Sequence, residues 1–215
     1  SLGFWQLQRV QEKAHLAAAF EERQQQAPVP VSGLWDKTAE SLAYLPVQLK
    51  GSFLPDKYFL LDNQVQHGQF GYDVLRILQL SDGDGTVLVN LGWMAGDAAR
   101  RVLPAVPMVE GTVEISGHIY VAPGEPFMLA EQQLGNAWPK LIQAVEMDKL
   151  GPAVATLQGD RVFPFPVRID AGEPGALQVD WQLVNMSPQT HQGYAVQWFA
   201  MAAVLFVFFL FRSSN

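Results

Sequence analysis

The residues best suited to chemistry lie near the C-terminus, around His191. Ser187 followed by Pro188 is a typical helix start, because serine caps free N–H groups and proline fits the first helical position. On that helix Tyr194 and Trp198 follow His191 at spacings of three and seven residues, so the three side chains share one face. A neutral imidazole above aromatic rings suits a flat, amphiphilic cofactor such as haem, whose iron binds a ring nitrogen. An ordinary interfacial histidine, with Trp198 as a membrane anchor, fits the same pattern.

The apolar segment that carries this face is long enough to cross a membrane. Residues 194–211 form a run of 18 residues without a charge. As a helix this run spans about 27 Å, close to the thickness of a bilayer core. A buried core helix is the alternative, but such helices are usually shorter. Arg212 after the run predicts a cytoplasmic C-terminus. We therefore expect a transmembrane helix over 187–212 and a tail at 213–215.

The N-terminal residues predict a second contact with the membrane. Residues 1–5 are apolar and end in Trp5, shortly before the first charges, as an interfacial tryptophan does at the end of a membrane helix. A helical period continues to Gln26, before prolines at 28 and 30 stop it. We expect 1–26 to be the end of a first membrane helix and its extension. A soluble amphipathic helix with a frayed start is the alternative.

The middle of the chain, residues 27–186, predicts a mainly β domain outside the membrane. Residues 70–80 and 86–93 are β-rich runs separated by Ser81–Gly85, whose two Asp-Gly pairs favour a hairpin turn. Residues 148–156 predict a short helix. Further strands are expected at 47–53, 109–121, 141–147, 162–169 and 177–183. Many short strands without long crossover helices predict an antiparallel barrel or sandwich.

Composition and motifs exclude several classes of function. The formal charge of −7 opposes nucleic-acid binding, which needs a clustered basic surface. The chain has no cysteine, which excludes disulfides, thiolate metal sites and a cysteine nucleophile. The sequence lacks the phosphate-binding loop, the dinucleotide glycine fingerprint and the zinc-protease and serine-hydrolase motifs. We therefore predict that the protein is not an enzyme.

Four sequence motifs together resemble those of a known family. They are residues 2–9 (LGFWQLQR) with Lys13, residues 51–53 (GSF), residues 68–72 (GQFGY) with 87–93 (VLVNLGW), and residues 186–199, which include HQGYAVQWF. In this order, and over nearly the whole chain, they resemble the Surfeit-locus-one (Surf/Shy) family of cytochrome oxidase assembly factors. The last motif is the most specific of the four.

The resemblance implies a protein with two membrane helices in a bacterial inner (plasma) membrane, with residues 27–186 on the periplasmic side. It implies a role in cytochrome c oxidase biogenesis, in which haem a is received and helped to reach oxidase subunit I. Haem a synthase and the lipid bilayer are further implied partners. The family's haem ligand carries over onto His191, and Tyr194 and Trp198 would lie against the macrocycle. A structural assembly chaperone that holds oxidase subunits without direct haem transfer is the alternative.

Two positions depart from the family's pattern. Leu91 stands where members commonly have an arginine before Gly-Trp, and residues 62–64 (DNQ) stand where many members carry another arginine. Since this chain has no arginine at either position, neither position is expected to hold a haem propionate here. Arg76, Arg100 and Arg101 are the substitutes that the sequence offers.

Three residues within the motifs predict architecture. Gly71 and Gly92 lie beside aromatic residues in expected strands, where glycine usually marks a bulge or a close approach of two backbones. We expect Trp93 to fill the core of the domain and not to contact a cofactor.

Overall fold

A computed structural model of the chain describes residue 23, residues 26–122 and residues 132–181. Gln26–Trp181 form one compact unit, which is mainly β sheet with few helices, as the sequence predicts. Within the described residues, no helix combines the length and the apolar character needed to cross a bilayer. The predicted membrane segments at 1–26 and 187–212 and the tail at 213–215 lie almost wholly outside the described residues.

The described part of the chain contains seven strands, two α-helices and one 3-10 turn. In chain order they are β1 Val29–Pro30, the 3-10 turn Val31–Gly33, α1 Ala39–Leu42, β2 Pro46–Gln66, β3 Gln69–Leu80, β4 Thr86–Ala95, β5 Thr112–Ile119, β6 Lys140–Ile142, α2 Met147–Gln158 and β7 Val167–Ile169. The hairpin predicted around Ser81–Gly85 is confirmed, because β3 and β4 pair antiparallel on either side of it. The predicted short helix is α2.

Five of the strands close into a ring, in the order β2-β3-β4-β7-β5 and back to β2. Closure depends on β2, whose 21 residues would extend about 70 Å if the strand were straight. Register shifts between Phe53 and Tyr58 and between Leu61 and Gln64 interrupt β2. Its first part pairs with β5, whereas most of the strand pairs with β3. Strand β2 therefore closes the barrel, because it pairs with both β3 and β5.

The expectation of an antiparallel barrel or sandwich is confirmed only in part, because four of the five pairings in the ring are antiparallel and one is parallel. β4 pairs with β7 in parallel, and β1 and β6 both pair with β2 in parallel. Parallel neighbours need a long connection between them, and the chain between β4 and β7 includes β5, β6 and α2. The periodicity of each short strand does not reveal such distant pairings.

Four expected strands are shorter than the sequence suggests, among them the one expected at 109–121, which is Thr112–Ile119. The strand expected at 141–147 is only Lys140–Ile142, because Met147 already begins α2. In 162–169 the strand is Val167–Ile169, and Val162 makes an isolated bridge to Thr86. In 177–183 the described residues form one bridge, between Gln178 and Trp93.

Two main apolar clusters lie on opposite faces of the strands. All five ring strands contribute to the first cluster, which therefore fills the interior of the barrel; its members include Val47, Leu49, Leu78, Val89, Ile115 and Val167. The second cluster lies outside the barrel under α2 and includes Phe59, Leu75, Ile77, Leu88, Leu150 and Val154. Strands β3 and β4 are covered on both faces, which explains why they read as nearly continuous apolar runs.

Candidate functional site

A cleft of about 280 Å³ lies on the outer face of the barrel, where β3, β4 and β7 meet the segments around residues 120 and 145. Six of its twelve lining residues are polar: Gln64, Asp73, Asn90, Tyr120, Gln143 and Arg168. The other six are apolar and provide most of the lining surface: Leu61, Leu75, Ala122, Ala144, Val145 and Pro166. A concave apolar surface with a few convergent polar groups is typical of sites for small ligands. We refer to it as the β7 cleft.

Arg168 provides the positive charge of the β7 cleft. Its neighbours Val167 and Ile169 are buried in the barrel interior, so the alternation of β7 directs Arg168 outward. The guanidinium carbon Cζ lies 3.6 Å from the ring centroid of Tyr120 and 5.0 Å from that of Trp181. Burial lowers the pKa of Arg168, and its buried Nε has no hydrogen-bond partner. Aromatic faces stabilise this cation in place of water.

Asp73 and Asn90 form the other polar part of the cleft. Nδ2 of Asn90 donates to Oδ2 of Asp73 at 3.3 Å, and Oδ1 of Asn90 accepts from the backbone N–H of Gly92 at 3.0 Å. Burial raises the pKa of Asp73, although the hydrogen bond from Asn90 and the charge of Arg168 both oppose this shift. The asparagine therefore orients a half-desolvated carboxylate and fixes the local backbone.

The motif glycines are architectural, as predicted. Gly92 has a φ of 104° and lies in the irregular stretch of the β3–β4 pairing, where the register shifts between Asp73 and Leu75. A Cβ on Gly71 would overlap the Met94 carbonyl oxygen and the Trp93 indole.

Trp93 fills the domain interior in the manner expected from the sequence. Its side chain is 5% exposed, and its indole Nε1 donates to the backbone oxygen of Gln64 at 3.1 Å. The GQFGY and VLVNLGW motifs thus meet in space because Gly71 leaves room for this ring.

The three arginines considered for haem propionates have different surroundings. Arg76 is 2% exposed, has no partner at Nε and Nη1, and lies 5.5 Å from the ring of Tyr58. Arg100 donates to Asp62 at 3.1 Å and to Asn63 at 2.7 Å. Both acceptors belong to residues 62–64, where the sequence departs from the family's pattern. Arg101 is exposed and lies 3.9 Å from Asp97. Arg100 is therefore occupied within the β unit, whereas Arg76 is buried with two unpaired donor atoms.

The predicted haem-binding residues His191, Tyr194 and Trp198 lie outside the described residues. Two other histidines are described: His67 at the exposed turn between β2 and β3, and His118, whose Nδ1 lies 2.8 Å from Oδ1 of Asp170. Within the described ranges, no three side chains of His, Asp or Glu come together in a way that could hold a metal ion.

Sequence reasoning missed the β7 cleft. Arg168 stands alone between two aliphatic residues, and its neighbours Asp73, Asn90 and Tyr120 come from other strands and loops. The available signal was one arginine inside an apolar strand run, because a charge there needs partners supplied by the fold.

Comparison with known proteins identifies relatives of this chain by sequence. Residues 1–203 match the model of the SURF1 family. The chain is 25% identical to a SURF1-like protein of Monosiga brevicollis, over 98% of this chain and 81% of that protein. It is 31% identical to SURF1-like proteins of Dictyostelium discoideum and Rickettsia bellii, over 44% of this chain in each case. Those two matches span 37% and 38% of the relatives' lengths.

Proposed function

The chain belongs to the SURF1 family, and on that premise we propose that it is a biogenesis factor for cytochrome c oxidase. In this proposal it receives haem a and helps it to reach oxidase subunit I at the membrane surface. The observation that carries the proposal is the family match over residues 1–203, because this range includes all four sequence motifs and the residues His191, Tyr194 and Trp198. The proposal includes no enzymatic step.

The proposal assigns the haem iron to His191 and the macrocycle to the rings of Tyr194 and Trp198. A neutral imidazole is a common axial ligand of haem iron, and aromatic side chains suit an apolar porphyrin face. One axial ligand near the edge of the bilayer leaves the haem exchangeable, which delivery requires. Haem a is here the cargo of the protein, and these residues hold and release it.

The proposal also includes a location and partners. In it, residues 1–26 are the end of a first membrane helix and its extension, and residues 187–212 are the second membrane helix, both in a bacterial inner membrane. Residues 27–186 face the periplasm. The place of His191 in the sequence, just before the apolar run at 194–211, supports a site at the headgroup level. Subunit I of the oxidase, haem a synthase and the lipid bilayer are the partners.

A replacement of the native gene by a His191→Ala variant tests this function in cells. We expect the oxidase purified from that strain to contain subunit I with less than about a tenth of its haem a, because the carrier has lost its iron ligand. His67→Ala is the matched control, since His67 lies at an exposed turn of the β unit, and it should leave the haem a content unchanged.

A different outcome supports the alternative function. If subunit I from the His191→Ala strain contains its full haem a while variants of the β unit prevent the subunits from associating, the protein is a structural chaperone. The haem a content of subunit I and a native gel of the oxidase subunits distinguish the two functions in the same preparation.

A further inference from the structure

The β7 cleft presents two opposite charges that do not pair with each other. Arg168 and Asp73 both line it, yet among the described residues no ion pair within 4 Å joins these two side chains. Both side chains are partly buried, and burial raises the pKa of Asp73 and lowers that of Arg168, although each charge favours the ionised form of the other. A desolvated charge without an ionic partner costs free energy. Such groups in a cleft are candidates for binding a ligand.

We propose that the β7 cleft binds a small zwitterion, an apolar α-amino acid, with its carboxylate on Arg168 and its ammonium group on Asp73. A guanidinium group is the usual partner of a carboxylate, because its planar N–H donors match the two oxygens. The Asp73 carboxylate accepts one hydrogen bond at Oδ2, from Asn90, and retains acceptor capacity for an ammonium group. This proposal does not rest on the delivery of haem.

The stacking around Arg168 supports its role as the anchor for the carboxylate. The rings of Tyr120 and Trp181 lie close to the guanidinium, and its buried Nε has no hydrogen-bond partner and so remains a donor for a ligand. Asn90 holds Asp73 from one side. Both charges are thus oriented before a ligand arrives, which reduces the entropy lost on binding.

The apolar wall and the size of the cleft select the rest of the ligand. Leu61, Leu75 and Val145 line it beside the charged groups and offer contact to an aliphatic side chain. A volume of about 280 Å³ is about nine times the roughly 30 Å³ of a water molecule in the liquid, which is room enough for a ligand as small as leucine.

The charge arrangement disfavours other small ligands. A phosphate or a dicarboxylate would bring extra negative charge beside Asp73, and a simple amine would bring positive charge beside Arg168. A neutral molecule would displace water and leave both ions without a partner. Only a ligand with both charges satisfies both side chains.

Calorimetric titration of the full-length protein in detergent with leucine tests the proposal. We expect a dissociation constant of about 1 mM or tighter. The comparison compounds are 4-methylpentanoate, which lacks the ammonium group, and 3-methylbutylamine, which lacks the carboxylate. Each should bind at least about tenfold more weakly, because each leaves one buried charge unpaired.

Three variants assign the binding to this cleft. Arg168→Gln and Asp73→Asn should each weaken leucine binding at least about tenfold. Ala122→Leu enlarges an exposed residue that lines the cleft and should block the entry of leucine. Because this variant keeps both charges, it tests the site even if Arg168→Gln or Asp73→Asn does not fold. Lys50→Gln is the control, because Lys50 is an exposed cation of β2 outside the cleft, and it should bind leucine normally.

Two results would overturn the proposal. One is the absence of binding heat with leucine in wild-type protein that is folded by circular dichroism. The other is leucine binding of unchanged affinity in both Ala122→Leu and Arg168→Gln. If the wild-type protein binds haem but not leucine, the proposal for the β7 cleft fails and the haem proposal does not.

Discussion

The contact between Gly71 and Trp93 gives the sharpest stability prediction for the β unit. In Gly71→Ala the new Cβ would overlap the Met94 carbonyl oxygen and the Trp93 indole, and would lie 2.5 Å from Nε1 of that indole. Neither neighbour moves easily, because one is backbone of β4 and the other is a ring that is 5% exposed. We therefore expect the indole to leave its place and the β3–β4 pairing to shift.

The size of the effect follows from two contributions. Overpacking of a tight core site costs about 1–3 kcal/mol. Displacement of the ring also breaks the part-buried hydrogen bond from Trp93 Nε1 to the Gln64 oxygen, which costs about 0.5–1.5 kcal/mol more. The expected loss is about 1.5–4.5 kcal/mol of unfolding free energy, a large share of the roughly 5–15 kcal/mol typical of a domain.

Guanidinium unfolding of the full-length protein in mild detergent, followed by near-ultraviolet circular dichroism, measures this loss. Gly151→Ala is the matched control, because Gly151 lies within α2 and an added Cβ meets no atom within 4 Å. There the same substitution should stay within about 0.5 kcal/mol of the wild type, because the helix preference of alanine is offset by Pro152, which disfavours a Cβ on the helical residue before it.

The reasoning would be refuted if Gly71→Ala unfolded within about 0.5 kcal/mol of the wild type while Gly151→Ala behaved as expected. Such a result would mean that the indole does not occupy the space beside Gly71. The architectural interpretation of the two strand motifs would then fail with it.

Two further predictions concern buried charges, and the same denaturation measurement tests them. Arg76→Met should raise the unfolding free energy by about 1–3 kcal/mol, because it removes a buried cation with unpaired Nε and Nη1; a destabilised variant would contradict this. Burial raises the pKa of Asp73, so its stabilising contribution is present below the ordinary value of 3.8 and is lost as the pH rises through the folded-state value. Asp73→Asn, which carries no charge, should therefore gain stability relative to wild type at pH 7 and gain less near pH 4; an equal difference at both pH values would contradict this.

The elements that the sequence predicts well are those with local determinants. The hairpin of β3 and β4 follows from two β-rich runs around the Asp-Gly pairs of Ser81–Gly85, and α2 follows from a helical segment ended by Gly159 at a φ of 73°. The roles of Gly71 and Trp93 also follow from residue type, since glycine beside a large ring in a strand indicates close packing.

The remaining features depend on contacts between distant parts of the chain. The parallel pairing of β4 with β7 joins segments separated by two other strands and a helix, so no local period encodes it. The β7 cleft depends on the same pairing, because Asn90 and Arg168 are register partners there. Arg76 lies within the aliphatic run of β3, and the burial of both faces of that strand is a consequence of barrel closure.

The absorption spectrum of the full-length protein, purified in detergent from cells that make haem a, tests the central claim most directly. The wild type and the His67→Ala control should show Soret and α bands of bound haem a. His191→Ala should lose these bands and keep the circular dichroism of a folded β unit. Equal haem in His191→Ala and in the wild type, or a wild type that binds none, would contradict the account.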